Sequence, residues 1–142
     1  MNYLLDTNVV SELRKPRPHG AVVAWRRSVP VSQIAIPAVV LAEAQAGVEL
    51  TRKQDPGKAA QLEAWIDNLM IYYAVVPSDG SIYREWARLM HRRSITLSAD
   101  AMIAATARIM GLTVATRNVK DFAIFGARVF NPFTYAAPER RT

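Results

Sequence analysis

The sequence contains no cysteine. That excludes disulfides, thiolate metal sites and a cysteine nucleophile. It is compatible with a reducing compartment, and the cytoplasm is the expected location. Histidine is nearly as scarce. His19 and His91 stand far apart without the spacing of a zinc site, so both read as surface residues. No run of roughly 18 apolar residues occurs, and no membrane span is expected. The opening Met1–Asp6 has no basic segment and meets a carboxylate at once, so no signal peptide is expected either.

Acidic residues are also in deficit. There are 12 against 18 basic ones, a formal net charge of +6. A basic surface favours anionic partners, nucleic acid first among them. With 142 residues, 51% of them hydrophobic, the chain has enough apolar material for one core without staples. Residues 1–135 are expected to form one domain. Residues 136–142 are expected to be a frayed basic tail containing Arg140 and Arg141.

Strand and helix signals alternate along that domain. Tyr3-Leu4-Leu5 reads as a short buried strand, and Thr7–Leu13 and Gly20–Ser28 as helices. Gln33–Ile36 is the next strand. Pro37 opens a helix to about Arg52, and Asp55-Pro56 opens another to about Ile71. Tyr72–Val76 is rich in β-formers. Ser78 or Asp79 caps a helix to about Arg93. Ser98 caps one to Met110, closed by Gly111. Leu112–Ala115 and Arg128–Phe130 are the last strands. Such alternation predicts a three-layer α/β/α sandwich around a mostly parallel sheet. In such sheets, sites form at the carboxyl ends of the strands. Asp6 lies at one such end, and Thr116, Asn118 and Asp121 lie just past another.

Several acids then fall in unexpected surroundings. The helix face through Glu43 reads Ile36, Val39, Val40, Glu43, Ala46, Gly47 and Leu50. All but Glu43 are apolar or glycine, which predicts that Glu43 points toward the core. The helix from Ser98 is apolar nearly all round, yet it carries Asp100 in its first turn. There Asp100 can equally complement the helix dipole. Asp6 can equally cap the helix from Thr7. Asp121, beside Lys120, reads alone as a solvated loop acid. Taken together, carboxylates converging on one rim repel one another, and a divalent cation relieves that repulsion. Mg²⁺ prefers oxygen ligands and keeps several waters.

Four segments then carry a resemblance. They are Leu4-Leu5-Asp6-Thr7-Asn8, the helix of Glu43, Asp100–Ala107, and Thr116-Arg117-Asn118-Val119-Lys120-Asp121-Phe122. In this order and spacing the chain resembles PIN domains from Tyr3 to about Phe133. It is most similar to the VapC-type toxins of toxin–antitoxin pairs, including the FitB-like branch. The resemblance implies a Mg²⁺- or Mn²⁺-dependent endoribonuclease that stops translation. It implies that Asp6, Glu43 and Asp100 are the principal metal-binding and catalytic acids, with Asp121 as a fourth. Thr7, Asn8, Thr116 and Asn118 would support the pocket. It further implies a homodimer and a cognate VapB/FitA-like antitoxin that covers the active-site groove. The complex would then form a larger assembly on operator DNA.

Thr7 or Thr116 is expected to hydrogen-bond a scissile phosphate oxygen. Substrate contacts are expected from Arg14, Lys15, Arg17, Arg117 and Lys120. Arg84, Arg88 and Arg92 are expected to line one helical face at four-residue steps, either as a further contact or as a solvated face. Ile82, Trp86, Leu89 and Met90 form the opposite, core-facing stripe. Trp25 and Trp65 suit either a core or an interface. Specificity from aromatic stacking platforms is not expected, because no aromatic-rich RNA-binding motif occurs. Two alternatives remain from the residues alone: a nucleic-acid-binding module with weak or no nuclease activity, and a nuclease acting on DNA. A phosphatase-like mechanism with Asp6 as nucleophile wants a second acid two residues on, where Asn8 stands.

Overall fold

The computed structural model describes residues 1–138. Arg140, Arg141 and the rest of the expected tail beyond Pro138 lie outside them. Five short strands pair in parallel: β1 (Tyr3–Leu5), β2 (Ile34–Pro37), β3 (Ala74–Val76), β4 (Thr113–Ala115) and β5 (Val129–Phe130). Their spatial order is β3-β2-β1-β4-β5. Strand order reverses between β1 and β4, where Leu5 registers with Ala115. That is the switch point at which an open parallel sheet leaves a crevice.

Among the described residues seven α-helices cover the sheet: α1 (Thr7–Arg14), α2 (Gly20–Ser28), α3 (Ala38–Arg52), α4 (Pro56–Tyr72), α5 (Gly80–Met90), α6 (Ser98–Met110) and α7 (Val119–Ala123). Right-handed crossovers put the helices following β1 and β2 on one face and those following β3 and β4 on the other. The packing agrees. α1 meets α2 and α3, and α3 meets α4, while α6 meets both α5 and α7. The result is the expected three-layer sandwich. No helix among the described residues is long and apolar enough to cross a membrane.

Strands covered on both faces must be apolar on both. Leu4, Leu5, Ile34, Ala35, Ile36, Val114 and Ala115 are all fully buried. α6 runs through the core, with every residue from Ala101 to Ala107 buried. Its alanines allow close approach to the sheet. Its one buried hydroxyl, on Thr106, donates to the Met102 carbonyl at 2.8 Å, so no polar group is left unpaired there. Trp25 is core, packed edge-on to Tyr3. A satellite cluster of Val48, Ala59 and Ile66 joins α3 to α4, with Trp65 at its edge.

Several local expectations shift. Tyr72 ends α4 rather than starting a strand. Asp79, not Ser78, caps α5, accepting from the Ile82 N–H at 3.0 Å. α6 begins at Ser98 itself, without a side-chain cap. It closes at Gly111, whose φ of +69° favours a residue without a Cβ. α5 stops at Met90, and Arg92 turns away with a φ of +62°, so Arg84, Arg88 and Arg92 do not share one helix face. The loop expected around Asp121 contains α7, seated by the fully buried Phe122. Five residues are too few for periodicity to declare.

Candidate active site

Asp6 sits where β1 ends, at the switch point. Its backbone N–H donates to the Ala115 carbonyl at 3.0 Å, continuing the ladder to β4. Its carboxylate is buried and receives three donors. The Thr7 N–H reaches Oδ1 at 2.7 Å, while the Thr116 hydroxyl and the Asn8 amide reach Oδ2 at 2.8 and 3.0 Å. Asp6 is therefore the cap of α1 and also the centre of a polar network between two strands. Thr116 Oγ1 accepts from the Asn118 N–H at 2.9 Å, and Asn8 Oδ1 accepts from the Arg117 N–H at 3.2 Å. Asn8 and the Thr116 hydroxyl thus tie the β4 end to α1, and no buried side-chain polar atom among the described residues lacks a partner.

Glu43 reaches the same rim from α3. Its Oε1 accepts the Thr7 hydroxyl at 2.9 Å. Contrary to expectation, Glu43 is exposed, as are Ala46, Gly47 and Leu50 on the same face. The buried stripe of α3 instead runs through Val40 and Val48, because α3 packs sideways on α4 as well as on the sheet. Small residues beside Glu43 therefore line an open cleft rather than a core. That cleft, about 330 Å³, lies between α1, α3 and α4 and includes Thr7, Arg14, Glu43, Lys58 and Trp65.

Asp100 comes in from the first turn of α6, half-buried. Its carboxyl is pushed up to about 6, first by burial and then by the charges of Asp6, Asp121 and Glu43. Asp6 is also raised. Burial outweighs the hydrogen bonds from Thr116 and Thr7, and Glu43 and Asp121 add like charge. Each of the four acids therefore figures in the electrostatics of this rim, and no lysine or arginine among the described residues offsets Asp6 or Asp100 there. Asp121 is exposed on α7, yet its charge reaches both Asp6 and Asp100.

This donor set suits a hard cation: oxygen ligands, mutual repulsion and no competing base. Among the described residues, no three acidic or histidine side chains are gathered tightly enough to hold an ion unaided. An ion such as Mg²⁺, which takes one or two carboxylates and keeps its waters, fits so open an arrangement.

The basic candidates divide by partner. Lys15 pairs with Glu12 at 3.1 Å and Arg88 with Glu85 at 3.3 Å. Glu12 is a buried acid that sequence reading passed over, since its partner lies only one turn away. Arg14 lies over the Trp65 ring, 5.5 Å from its centroid. Arg117 lies over Phe133 at 3.8 Å, and His19 packs edge-on against the same ring with centroids 5.4 Å apart. Phe133 gave no signal in the sequence, because its contacts come from distant segments.

Comparison with known proteins follows the same lines. The family described as PIN domain matches residues 3–126. Toxin FitB of Neisseria gonorrhoeae is 34% identical over 139 residues, covering 92% of this chain and 97% of that protein. VapC ribonuclease Y4jK of Sinorhizobium fredii is 33% identical over 141 residues, covering 92% and 96%. Among solved structures, FitAB bound to an IR36 DNA fragment superposes with a TM-score of 0.81 at 31% identity, covering 96% of this chain and 99% of that one.

Proposed function

The chain belongs to the PIN-domain family, and we propose that it is the toxin of a toxin–antitoxin pair, an endoribonuclease that cleaves RNA phosphodiester bonds and so inhibits translation. Residues 1–135 act as one nuclease domain in the cytoplasm. The observation that carries this reading is the acidic rim. Asp6 and Asp100 are both raised by burial and by neighbouring carboxylates, at the switch point of a parallel sheet. Stable folds avoid such uncompensated clustering unless a ligand relieves it. The relatives named as toxin and as ribonuclease support the same reading.

Asp6 and Asp100 would hold a divalent cation, Mg²⁺ or Mn²⁺, with Glu43 assisting and Asp121 orienting a water or a second ion. When bound, the cation supplies positive charge for the phosphate and lowers the pKa of a water molecule. The chain's own residues set the geometry. Thr116 is fully buried and donates its hydroxyl hydrogen to Asp6, so it positions that carboxylate and cannot reach a phosphate. Thr7 donates its hydroxyl hydrogen to Glu43 and so holds that second carboxylate. For Thr116 the expected bond to the scissile phosphate gives way to a positioning role, whereas Thr7, half-buried and lining the open cleft, keeps access to a phosphate. Asn8 and Asn118 brace Thr116 and the β4 end.

The partner in this reading is a VapB/FitA-like antitoxin covering the groove beside Glu43, with a homodimer of this chain as the core of a larger complex on operator DNA. The cleft that contains Arg14, Glu43 and Trp65 supports such coverage, as does the FitAB complex solved on DNA. The test is RNA cleavage by the purified chain with Mg²⁺, beside Asp6→Asn and Asp100→Asn variants checked for folding by circular dichroism. Both variants should lose cleavage and cease to arrest growth. A folded variant that cleaves at the wild-type rate, or a wild type that cleaves only DNA or nothing, overturns the reading.

A further inference from the structure

The rim carries several like charges, and an RNA strand approaching it is repelled unless cations flank the acids. On the β4–β5 side one cation is held in place by unusual means. The Arg117 guanidinium lies over Phe133, 3.8 Å from the ring centroid, and His19 packs 5.4 Å from that ring. Phe133 is half-buried in the short 3-10 turn Pro132–Thr134 that follows β5 and packs against the main core, so it is a firm base. Arg117 itself is exposed and has no carboxylate partner among the described residues. Stacking occupies the face of a guanidinium and leaves its in-plane N–H donors directed outward. Those donors match a phosphate in geometry and charge.

The position of Arg117 is also set from below. Its backbone N–H donates to Asn8 Oδ1, and the Asn8 amide donates to Asp6. One asparagine therefore links the arginine's backbone to the acid at the switch point. Beside it opens a hollow of about 380 Å³, formed by Arg117, Asn118, Lys120, Asp121 and Asn131 among others. It runs from the braced arginine to the fourth acid. Its size suits one nucleotide, and its lining has two cations, two amides, the Asp121 carboxylate and a single apolar side chain, Val119.

We propose that Arg117, braced on Phe133, grips a phosphate of the RNA strand next to the one being cut, and that the hollow beside Asp121 seats the intervening nucleotide. Arg117 is then a substrate-binding residue, and Phe133 is a positioning residue acting through it. This rests on the ribonuclease reading above, whose own failure has a separate signature.

The experiment is fluorescence anisotropy of a short fluorescein-labelled single-stranded RNA of mixed sequence. It is titrated with the full chain in EDTA, so that cleavage does not interfere, over a series of salt concentrations. Arg117→Ala should weaken binding about tenfold, the worth of one charge-assisted contact. It should also reduce the salt slope by about 0.7, one phosphate's share for a single strand. Phe133→Leu keeps the charge, so its slope should stay while affinity falls about threefold from lost bracing. Lys53→Ala, at the far end of α3 from the rim, should change neither. If the wild type binds and, with Mg²⁺, cleaves RNA while Arg117→Ala keeps its affinity and slope, the Arg117 assignment is wrong and the nuclease reading stands. If Phe133→Leu shifts the slope as Arg117→Ala does, the bracing role is wrong. A wild type that neither binds nor cleaves RNA sinks both.

Discussion

Thr116 gives its hydroxyl hydrogen to the buried carboxylate of Asp6 across 110 residues of sequence, at 2.8 Å. The contact joins the ends of the two strands that flank the switch point. Replacing Thr116 by Val leaves that oxygen with one donor fewer in a site shielded from water. The cost should be about 1–3 kcal/mol in urea unfolding. Asp6 should also become harder to ionise, since this bond is the largest influence lowering it. The acid limb of the cleavage profile should then move to higher pH in Thr116→Val and return in Thr116→Ser. A loss of stability with no movement of that limb would assign Thr116 to structure alone.

The acids should also make the metal-free protein sensitive to pH. Asp100 ionises at about 6 in the folded chain against an ordinary 3.8. A raised acid binds its proton more tightly when folded. Its stabilising contribution is full below about 3.8 and is lost as pH rises through about 6. Asp6 shifts in the same direction. In EDTA, Tm should therefore fall between pH 4 and pH 7 relative to Asp100→Asn, in which that slope is reduced. Mg²⁺ should restore Tm at the upper end of this window for the wild type and less so for the variant. Parallel melting curves for the two proteins in EDTA would show that Asp100 is not the group responsible.

Glu43 offers a cleaner separation of function from folding. It is exposed, and its side chain makes one hydrogen bond among the described residues, accepting from Thr7. Glu43→Gln should change unfolding stability by less than about 0.5 kcal/mol, as surface changes usually do. Cleavage should still fall, because the neutral amide no longer contributes charge to a cation. Raising the Mg²⁺ concentration should recover part of that loss. A large fall in stability would mean that Glu43 is held as sequence analysis expected, facing a core.

That expectation shows where sequence reasoning stops. Alternation of strand and helix signals was enough for the layers and for the parallel sheet, because strands buried on both faces leave unbroken apolar runs such as Leu4-Leu5 and Ile34–Ile36. The adjacency of Asp6 and Thr116 followed from their places after two strands. Glu43 misled because an apolar helix face can border a cleft as well as a core. Only the angle at which α3 meets α4 decides between the two, and periodicity does not encode it. Arg92 misled through a single left-handed residue that ends a helix early. Phe133 and His19 were silent, since an aromatic's partner 114 residues away leaves no local trace.

Helix α7 connects packing to the site in a way that can be isolated. Its five residues carry exposed Asp121 and fully buried Phe122 side by side. So short a helix has little stability of its own. Its place is set by Phe122 in the core and by the Asn118 N–H on Thr116. Phe122→Leu should loosen that seat, cost about 1 kcal/mol as a near-volume core swap, and lower cleavage through Asp121. Ile82→Val, on the buried face of α5, should cost a similar amount, roughly 0.5–1.5 kcal/mol, but leave cleavage intact once both proteins are assayed well below their Tm. The comparison removes stability as an explanation. Equal cleavage by the two variants would mean that Asp121 does not depend on the seat of α7, and that its contribution to the acidic rim is long-range charge alone.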